Sequence, residues 1–443
     1  MGILSTSKEL IRPFYLKWLY FKLNSANCPP HFQRWRSYST FPVGPAPNDL
    51  IPLEPGMPDF IFMPMADWHG ITQRSQQLAR ALSARGHRSV YLNPHLGREF
   101  PNPYPFSPRR LASWVEPRVV ELHNHLPLEP VFHHRLLSRG EVDTVARNVL
   151  YMLDSIGSVR SVSLISFPLW TDLALRLKAT RNTPIIYDCH DLLEGFDDIS
   201  SDILKKEAEL LTVADLVVFS SDQLARKHLE RNPSLEARSV LVRNAVDPAD
   251  FTSAYESHTR NARPVIGYVG SLNSWFDVES VTFAARKHPE WQFELVGIMA
   301  DSFPKEAVSA YPNIHLAGEI PYVDVPKTLA GMDVVMIPFH LSPLTMATNP
   351  IKLYEYFACG LPVVSSTMPE VGSYSDLVYL ASSPDQFVRQ LEAAVTEEDR
   401  NLRRQRRRIA ERESWQARAE VLSRHATRLT ETKEDRHAPS RQS

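Results

Sequence analysis

The stretch TNPIKLYEYFACGLPVVSS, residues 348–366, decides the fold because it predicts a short helix leading into a buried strand. Pro350 suits the first turn of the helix, and Thr348 or Asn349 can cap it. Gly360 then ends the helix before the apolar run that forms the strand. A helix followed directly by a buried strand is typical of a parallel α/β sheet.

Two charged side chains of this helix, Lys352 and Glu355, are three residues apart and therefore share a face. At the carboxyl edge of a doubly wound sheet, backbone N–H groups at helix N-termini meet phosphates. There the Glu355 carboxylate can accept from both ribose hydroxyls while the Lys352 ammonium faces a diphosphate. The alternative is a surface ion pair, which is common at this spacing. The flanking sequence favours the nucleotide site.

Outward from this stretch, short apolar runs alternate with helical stretches along the chain, which predicts an α/β fold. The second half contains six such runs: residues 265–268, 293–296, 314–316, 334–337, 362–364 and 378–380. The first half contains seven: residues 60–63, 89–92, 119–122, 164–167, 185–187, 216–219 and 240–243. Neither half has a G-x-G-x-x-G or Walker A sequence, which argues against nicotinamide dehydrogenases and P-loop enzymes.

Residues 349–364 fit the pattern N-P-x-K-x-Y-E-Y-x-A-x-G-x-P-V-V almost throughout. This pattern resembles the nucleotide-binding signature of GT-B glycosyltransferases of the GT4-like group, which includes teichuronic-acid-type enzymes. Three further segments agree in order: WHGITQRSQQLA from Trp68, YDCHD from Tyr187 and GYVGSLNSWFD from Gly267. The resemblance covers roughly residues 57–425 and implies two Rossmann-like, doubly wound domains facing a cleft.

The length of 443 residues also predicts two domains. The predicted parts are an N-terminal extension and linker (1–56), an acceptor-side domain (57–250), a linker (251–263), a nucleotide-sugar-binding domain (264–412), a crossing helix (413–429) and a disordered tail (430–443). Charged residues make up 23% and the formal net charge is −2, so composition gives no electrostatic reason to expect a nucleic-acid partner. The three cysteines are scattered and predict neither a disulfide framework nor a zinc site.

The resemblance implies a donor site for a nucleotide diphosphate sugar. Besides Lys352 and Glu355, its expected members are Gly270, Ser271, Arg243, Thr348, Asn349, Gly70 and Arg74. Gly270 ends a strand and lets backbone approach the diphosphate closely. The YDCHD motif adds His190, with Asp188 and Asp191 as further candidate bases, for contact with the donor sugar or removal of the acceptor proton.

The sequence departs from the family pattern at two places. Many relatives have an Arg and a Lys in the loop after Gly270, whereas this chain has Ser271 and the run Trp275-Phe276-Asp277. Relatives also carry a Glu eight residues before the position of Glu355, where this chain has Ala347. Lys352, with Arg243, is therefore expected to meet more of the leaving-group charge. The missing Glu leaves the sugar and the stereochemistry of transfer undetermined.

The chain contains no Asp-x-Asp sequence, the motif with which another major glycosyltransferase fold holds a divalent cation. We therefore predict transfer without a metal or any other cofactor, with backbone N–H groups and Lys352 stabilising the departing diphosphate. The expected acceptor is a saccharide or lipid-linked saccharide in polysaccharide or cell-envelope glycan synthesis. Two alternatives stay open: a GT-B sugar-nucleotide epimerase, and a non-catalytic scaffold in a polysaccharide assembly complex.

No apolar run approaches the ~20 residues that span a bilayer. Residues 8–23 are aromatic and basic, which is compatible either with a helix on the membrane surface or with packing on the body of the protein. We therefore expect a cytoplasmic protein, with this segment as the candidate contact to the inner face of the plasma membrane. Residues 403–408 contain five arginines, which we interpret as a solvated helix face, with a site for an acidic partner or a lipid as the alternative.

Overall fold

The computed structural model describes residues 56–68, 71–94, 112–124, 126 and 135–431. Gly70 and residues 8–23, which the sequence singled out, lie outside these ranges. The strands are β1 Asp59–Met63, β2 Ser89–Leu92, β3 Ala112–Glu116, β4 Val119–Leu122, β5 Ser161–Ile165, β6 Ile185–Cys189, β7 Leu216–Phe219, β8 Ser239–Leu241, β9 Val265–Val269, β10 Gln292–Val296, β11 Ile314–Gly318, β12 Val334–Ile337, β13 Val363–Ser366 and β14 Val378–Ala381.

Helices occupy most of the connections between these strands. They are α1 Arg74–Ala84, α2 Arg139–Ser155, α3 Thr171–Arg181, α4 Ser201–Val213, α5 Asp222–Arg231, α6 Thr252–Ser257, α7 Val278–Lys287, α8 Lys305–Ser309, α9 Val325–Ala330, α10 Pro343–Ala347, α11 Ile351–Ala358, α12 Pro369–Gly372, α13 Pro384–Val395, α14 Arg400–Arg412 and α15 Trp415–Thr430. Short 3₁₀ turns lie at Pro168–Trp170, Leu193–Gly195, Pro233–Arg238, Pro248–Phe251 and Tyr322–Asp324. The predicted α/β class is confirmed.

The first sheet has the strand order β3-β4-β2-β1-β5-β6-β7-β8 in the described part of the chain. β1 pairs in parallel with β2 and β5, and its apolar run from Phe60 to Met63 is fully buried. A continuous apolar run is what a strand covered on both faces requires. The sequence missed β3, which pairs antiparallel with β4. It also placed β5 about three residues too late.

The second sheet has the order β11-β10-β9-β12-β13-β14, and its pairings are parallel throughout the described residues. All six predicted runs of the second half are strands here. This order is that of a doubly wound Rossmann-like sheet, in which the first strand is central and ligands bind at the carboxyl edge. A ligand site is therefore expected among the residues that follow β9, β10 and β12.

The chain forms two compact units. Unit 1 comprises Met1–Tyr187, Asp198–Asp215 and Ser423–Ser443; unit 2 comprises Asp188–Asp197 and Leu216–Leu422. Except for Arg74 in unit 1 and the undescribed Gly70, the predicted site residues belong to unit 2. The linear domain boundaries stay a prediction.

Helix α14 corrects part of the interpretation of residues 403–408 as a solvated face: Arg404 and Arg408 are exposed, but the other three arginines make contacts with the rest of unit 2. Arg406 is fully buried and donates to Glu397 and to the Leu377 carbonyl oxygen. The Arg403 guanidinium lies 4.6 Å from the ring centroid of Tyr255. Packing of α14 on α11 turns these side chains inward, so the charge run contains structural arginines.

The same contact fixes the helix that carries Lys352 and Glu355. Arg407 donates to the carbonyl oxygen of Ala358, the last residue of α11, at 2.8 Å. A cation at a helix C-terminus satisfies a free carbonyl and complements the helix dipole. Gly360 follows with φ +69°, and a Cβ there would lie 2.7 Å from Arg403 Cγ. Glycine is therefore required where α11 ends against α14.

Candidate functional site

Helix α11 begins one residue later than the capping prediction requires. Its N-cap is Pro350, without a side-chain cap, so the prediction that Thr348 or Asn349 caps the helix is wrong. Thr348 instead ends α10, and its hydroxyl donates to the Leu344 carbonyl oxygen at 2.8 Å. Two short helices follow each other here, and the first uses Thr348 at its own end. The first backbone N–H groups of α11 have no side-chain cap.

Lys352 lies against Gly270. Both residues were predicted to contact the diphosphate, so they are expected to be close together. A Cβ on Gly270 would lie 2.9 Å from Lys352 Cε and 3.3 Å from Nζ. The ammonium also lies 5.3 Å from the Tyr268 ring centroid and 5.0 Å from that of Phe339. Within the described residues it has neither a hydrogen bond nor an ion pair. Burial lowers the pKa of Lys352 to about 8, and the charge of Glu355 opposes part of this shift.

A second glycine, which the sequence analysis missed, shapes the same edge. Gly297 follows β10 with φ +146°, and a Cβ there would lie 2.0 Å from the Gly270 carbonyl oxygen. Gly270 itself has φ +148°. The two neighbouring strands thus end in glycines whose backbones touch. The signal was present in the sequence, because Val296-Gly297 repeats the Val269-Gly270 ending of the preceding strand.

Glu355 lies on the same helix as Lys352 and is 7% exposed. Burial raises its pKa, while the nearby Tyr322 hydroxyl and the charge of Lys352 act against that shift. A carboxylate in such a place needs hydrogen-bond donors to remain ionised. Two ribose hydroxyls would supply them. Tyr322, which the sequence analysis did not select, therefore shares the surroundings of Glu355.

The loop after Gly270 explains one departure from the family pattern. Ser271 is half-buried, and its carbonyl oxygen accepts from the Tyr268 hydroxyl at 2.8 Å. Asp277 caps helix α7, accepting from the N–H of Ser280 at 2.9 Å and from its hydroxyl. The residue that stands where many relatives have a cation is thus a helix cap. Lys352 remains as the predicted donor-site cation at this edge.

Arg243 and Asn349 are both engaged by Glu370. The Glu370 carboxylate, 2% exposed, accepts from Arg243 Nε and Asn349 Nδ2 at 2.8 Å each. It also accepts from the N–H of Asp222 at 2.8 Å, and Asp222 in turn pairs with Arg243.

Asn349 is 1% exposed, and its Oδ1 accepts from the N–H of Asn244 at 2.8 Å. Its amide group also donates to the Tyr354 hydroxyl at 3.0 Å. These protein contacts account for Asn349 and Arg243 without a ligand. We therefore keep neither residue among the proposed donor contacts, and assign both the bracing of the segment that leads into α11.

The YDCHD motif brings its three predicted bases together at the end of β6. Nδ1 of His190 lies 3.0 Å from the carbonyl oxygen of Asp188, which can only accept, so this nitrogen carries a proton. Nε2 is then the basic nitrogen of the neutral ring. It lies 3.6 Å from Asp191 Oδ2. Once Nε2 carries a proton, this carboxylate beside the same nitrogen would stabilise the imidazolium by its opposite charge.

Two adjacent serines at the end of β7 connect the His190 segment to the segment before Lys352. The Ser220 hydroxyl donates to the His190 carbonyl oxygen at 2.8 Å. The Ser221 hydroxyl donates to the carbonyl oxygen of Ala347 at 2.5 Å and caps α5. Ala347, where relatives have a Glu, is buried. Sequence reasoning missed this connection because a Ser-Ser pair has no distinctive pattern.

Arg74 begins helix α1 in unit 1 and is 2% exposed. Gln73 precedes it with a reciprocal capping box formed with Gln76. The predicted contact of Arg74 with phosphate or an anionic acceptor stays a prediction, as does the role of Gly70.

Residues 263–397 match the family described as Glycosyl transferases group 1. The matched segment contains β9 to α13, including Gly270, Lys352 and Glu355. Over these residues the chain carries a group 1 glycosyltransferase signature. The resemblance inferred from the sequence is thereby confirmed.

A protein of Bacillus subtilis, TuaH, named as a candidate teichuronic acid biosynthesis glycosyltransferase, is 25% identical over 252 residues. The match covers 52% of this chain and 64% of TuaH. The alignment thus spans somewhat less than two thirds of that relative.

Solved GT-B structures share the fold at low identity. Sucrose-phosphate synthase from Thermosynechococcus elongatus superposes with a TM-score of 0.66 at 16% identity, over 84% of this chain and 99% of that one. HepE of Anabaena, solved with UDP and glucose, superposes with a TM-score of 0.58 at 15% identity, over 83% of this chain and 99% of its own. At these identities the likeness shows the fold.

Proposed function

We propose that this protein transfers a sugar from a nucleotide diphosphate sugar to a saccharide or lipid-linked saccharide in polysaccharide or cell-envelope glycan synthesis. One observation carries the proposal. The Lys352 ammonium lies over the Gly270 turn without a hydrogen bond or ion pair among the described residues, one helical turn from the buried Glu355. A half-buried cation beside a strand-end glycine supplies what a diphosphate needs, and the nearby carboxylate supplies what a ribose needs.

In this proposal the residues divide the reaction between them. Lys352 and the Ser271 backbone N–H stabilise the diphosphate as the bond to the anomeric carbon breaks, because charge then accumulates on the leaving group; Gly270 lets the diphosphate approach. Glu355 fixes the nucleoside through its ribose. His190 accepts the acceptor hydroxyl proton at Nε2, and Asp191 stabilises the resulting charge.

We further propose that this transfer needs no divalent cation. The support is the absence of Asp-x-Asp from the sequence together with the position of Lys352. One ammonium supplies a single positive charge, so the uncapped backbone N–H groups at the start of α11 would supply the remaining stabilisation.

The similarity to TuaH and to structures solved with UDP or UDP-glucose supports a sugar nucleotide as donor. We propose a cytoplasmic location, with contact to the inner face of the plasma membrane through residues 8–23. In the described part of the chain, no helix combines the length and apolar character needed to cross a bilayer. Deleting residues 1–40 should weaken co-sedimentation with anionic liposomes; equal sedimentation would move the contact elsewhere.

The decisive experiment screens UDP-, GDP- and dTDP-sugars against the full chain by thermal shift and then follows the fate of the binding donor. A ligand at 100 times its Kd should stabilise the folded state by ~2.7 kcal/mol. Acceptor-dependent release of nucleoside diphosphate would establish transfer. Appearance of a second sugar nucleotide without acceptor would indicate the epimerase alternative. Binding without turnover would favour the scaffold, and absence of any binding would overturn the proposed site.

A further inference from the structure

We propose that one face of helix α14 docks on an anionic lipid surface through a row of four arginines. Arg400, Arg404, Arg408 and Arg412 follow each other at intervals of four residues, and all four are exposed. We call these four residues the arginine row. Neither the proposed reaction nor the family signature uses them, and the matched segment ends before them at residue 397.

The helix separates its arginines into two functions. Arg403, Arg406 and Arg407 hold α14 against the rest of unit 2, as their contacts with Tyr255, Glu397 and Ala358 show. Residues 400, 404 and 408 have no hydrogen bond or ion pair with any described residue. Arg412 lies 3.1 Å from Glu413 but keeps 68% of its side chain exposed. The row is therefore not needed to hold the helix in place.

The exposed face of the helix carries four arginines and one glutamate, and the exposed Glu398 and Asp399 lie just before its first residue. The other exposed residues of the helix are Asn401 and Glu411, and Glu411 pairs with Arg407 at 3.2 Å. The entire chain has a formal net charge of −2, so the row is a local concentration of charge. Such a concentration favours a partner that presents many negative groups on one side.

The geometry favours a surface over a small ligand. Four residues of an α-helix rise ~6 Å, so the row extends over ~18 Å. Side chains spaced in this way along a straight helix do not converge on one phosphate, whereas mobile lipid phosphates can each meet one guanidinium. The exposed residues of the helix include no large apolar side chain, so we infer electrostatic adsorption without insertion. A cluster of four basic residues on an amphipathic helix suits this mode.

The test compares two triple variants of the full chain in co-sedimentation with vesicles of 30% phosphatidylserine in phosphatidylcholine. Arg400→Gln/Arg404→Gln/Arg408→Gln removes three charges of the row. The matched control, Lys305→Gln/Lys327→Gln/Arg389→Gln, removes three exposed charges elsewhere in unit 2. Because each basic residue near an anionic bilayer adds to binding, we expect the row variant to partition at least tenfold more weakly and the control to change less than twofold.

Three further measurements separate the possible results. Binding of the wild type should fall as salt rises from 50 to 500 mM, and should be absent on pure phosphatidylcholine. The row variant should keep its thermal midpoint and its donor-induced thermal shift, which distinguishes this proposal from failure of the donor site. Equal partitioning of row variant and wild type overturns the proposal. So does a row variant that loses binding to a soluble anionic polysaccharide while keeping its binding to vesicles.

Discussion

The terminal atoms of Lys352 occupy the space that a Cβ on Gly270 would fill, at 2.9 Å from Cε and 3.3 Å from Nζ. The two residues are 82 positions apart in the sequence, yet each determines what the other can be. Glycine fits this turn because its φ is +148° and because a Cβ would push the end of the lysine side chain away from the turn. The pair thus connects the end of β9 to the first turn of α11, and three of our predictions concern this connection.

Gly270→Ala should weaken donor binding at least tenfold, because the added methyl group displaces the Lys352 ammonium. The substitution also meets a backbone with φ +148°, which side chains rarely adopt, so the free energy of unfolding should fall by about 1 kcal/mol. Calorimetry with the donor identified by thermal shift gives the affinity. Gly372→Ala is the matched control, since a Cβ there meets nothing within 4 Å. Equal donor affinity in wild type and Gly270→Ala would contradict the assignment.

Lys352→Met should weaken donor binding by 10- to 100-fold, since a charge-assisted hydrogen bond contributes on the order of 1.5–3 kcal/mol. Wild-type binding should also weaken as pH rises above about 8, the pKa of Lys352, because the uncharged amine no longer attracts the diphosphate. The Met variant should lack this alkaline decline. Isothermal titrations from pH 6.5 to 9.5 distinguish the two proteins. A wild-type affinity that stays constant up to pH 9.5 would exclude Lys352 as the diphosphate ligand.

The same variant should be more stable than the wild type at pH 7. Burial lowers the folded-state pKa of Lys352 to about 8, below its ordinary value of 10.5, so the buried ammonium costs free energy at neutral pH. Between these two values the unfolded chain binds more protons, and wild-type stability should rise with pH. We expect Lys352→Met to gain on the order of 2 kcal/mol in urea unfolding at pH 7. Lower stability would indicate that the lysine serves the fold rather than the ligand.

Glu355→Gln should weaken UDP binding by 10- to 100-fold, because an amide can accept a ribose hydroxyl at only one oxygen. Burial raises the pKa of Glu355, so this carboxylate takes up a proton at a higher pH than an exposed glutamate does. The UDP affinity of the wild type should therefore begin to fall at that higher pH on acidification. Calorimetry between pH 5 and 8 measures both effects. Glu306→Gln, on an exposed part of α8, is the control. A folded Glu355→Gln protein with wild-type affinity would show that the ribose binds elsewhere.

Glu370→Gln should destabilise unit 2 by about 2–4 kcal/mol. The buried carboxylate accepts three hydrogen bonds from Asp222 N–H, Arg243 and Asn349, and an amide would turn a donor toward one of them. Asp222→Asn removes the exposed partner of the same arginine and should cost less than about 1 kcal/mol. Urea denaturation measures both. Similar midpoints for the two variants would mean that Glu370 is not the centre of this network.

Transfer should persist in 10 mM EDTA, because the proposed stabilisation of the leaving group comes from Lys352 and backbone N–H groups. The measurement is nucleoside diphosphate release with and without chelator, followed by addition of magnesium or manganese. Activity that disappears on chelation and returns with the cation would contradict the metal-independent mechanism.

Most of the fold followed from local sequence, since runs such as Phe60–Met63 and Val334–Ile337 are apolar throughout and have the length typical of strands covered on both faces. The edge strand β3 was missed because it pairs only with β4, and a strand at the edge of a sheet does not need a continuous apolar run. Arg403, Arg406 and Arg407 of α14 were misinterpreted for a related reason. A run of arginines is compatible with a helix, but the run alone does not show which side chains are buried. That depends on the elements that pack against the helix.

The sequence by itself determined the strands of the doubly wound sheet, the family signature and the candidate pair of Lys352 and Glu355. Local spacing was sufficient because those features depend on periodicity and on residue type. Only the tertiary structure decided that Asn349 and Arg243 are engaged by Glu370, that Gly297 touches Gly270, and that Ser220 and Ser221 connect His190 to Ala347. Each of these contacts joins residues that are distant in sequence, and hydrogen-bond partners of that kind are set by how the strand ends meet.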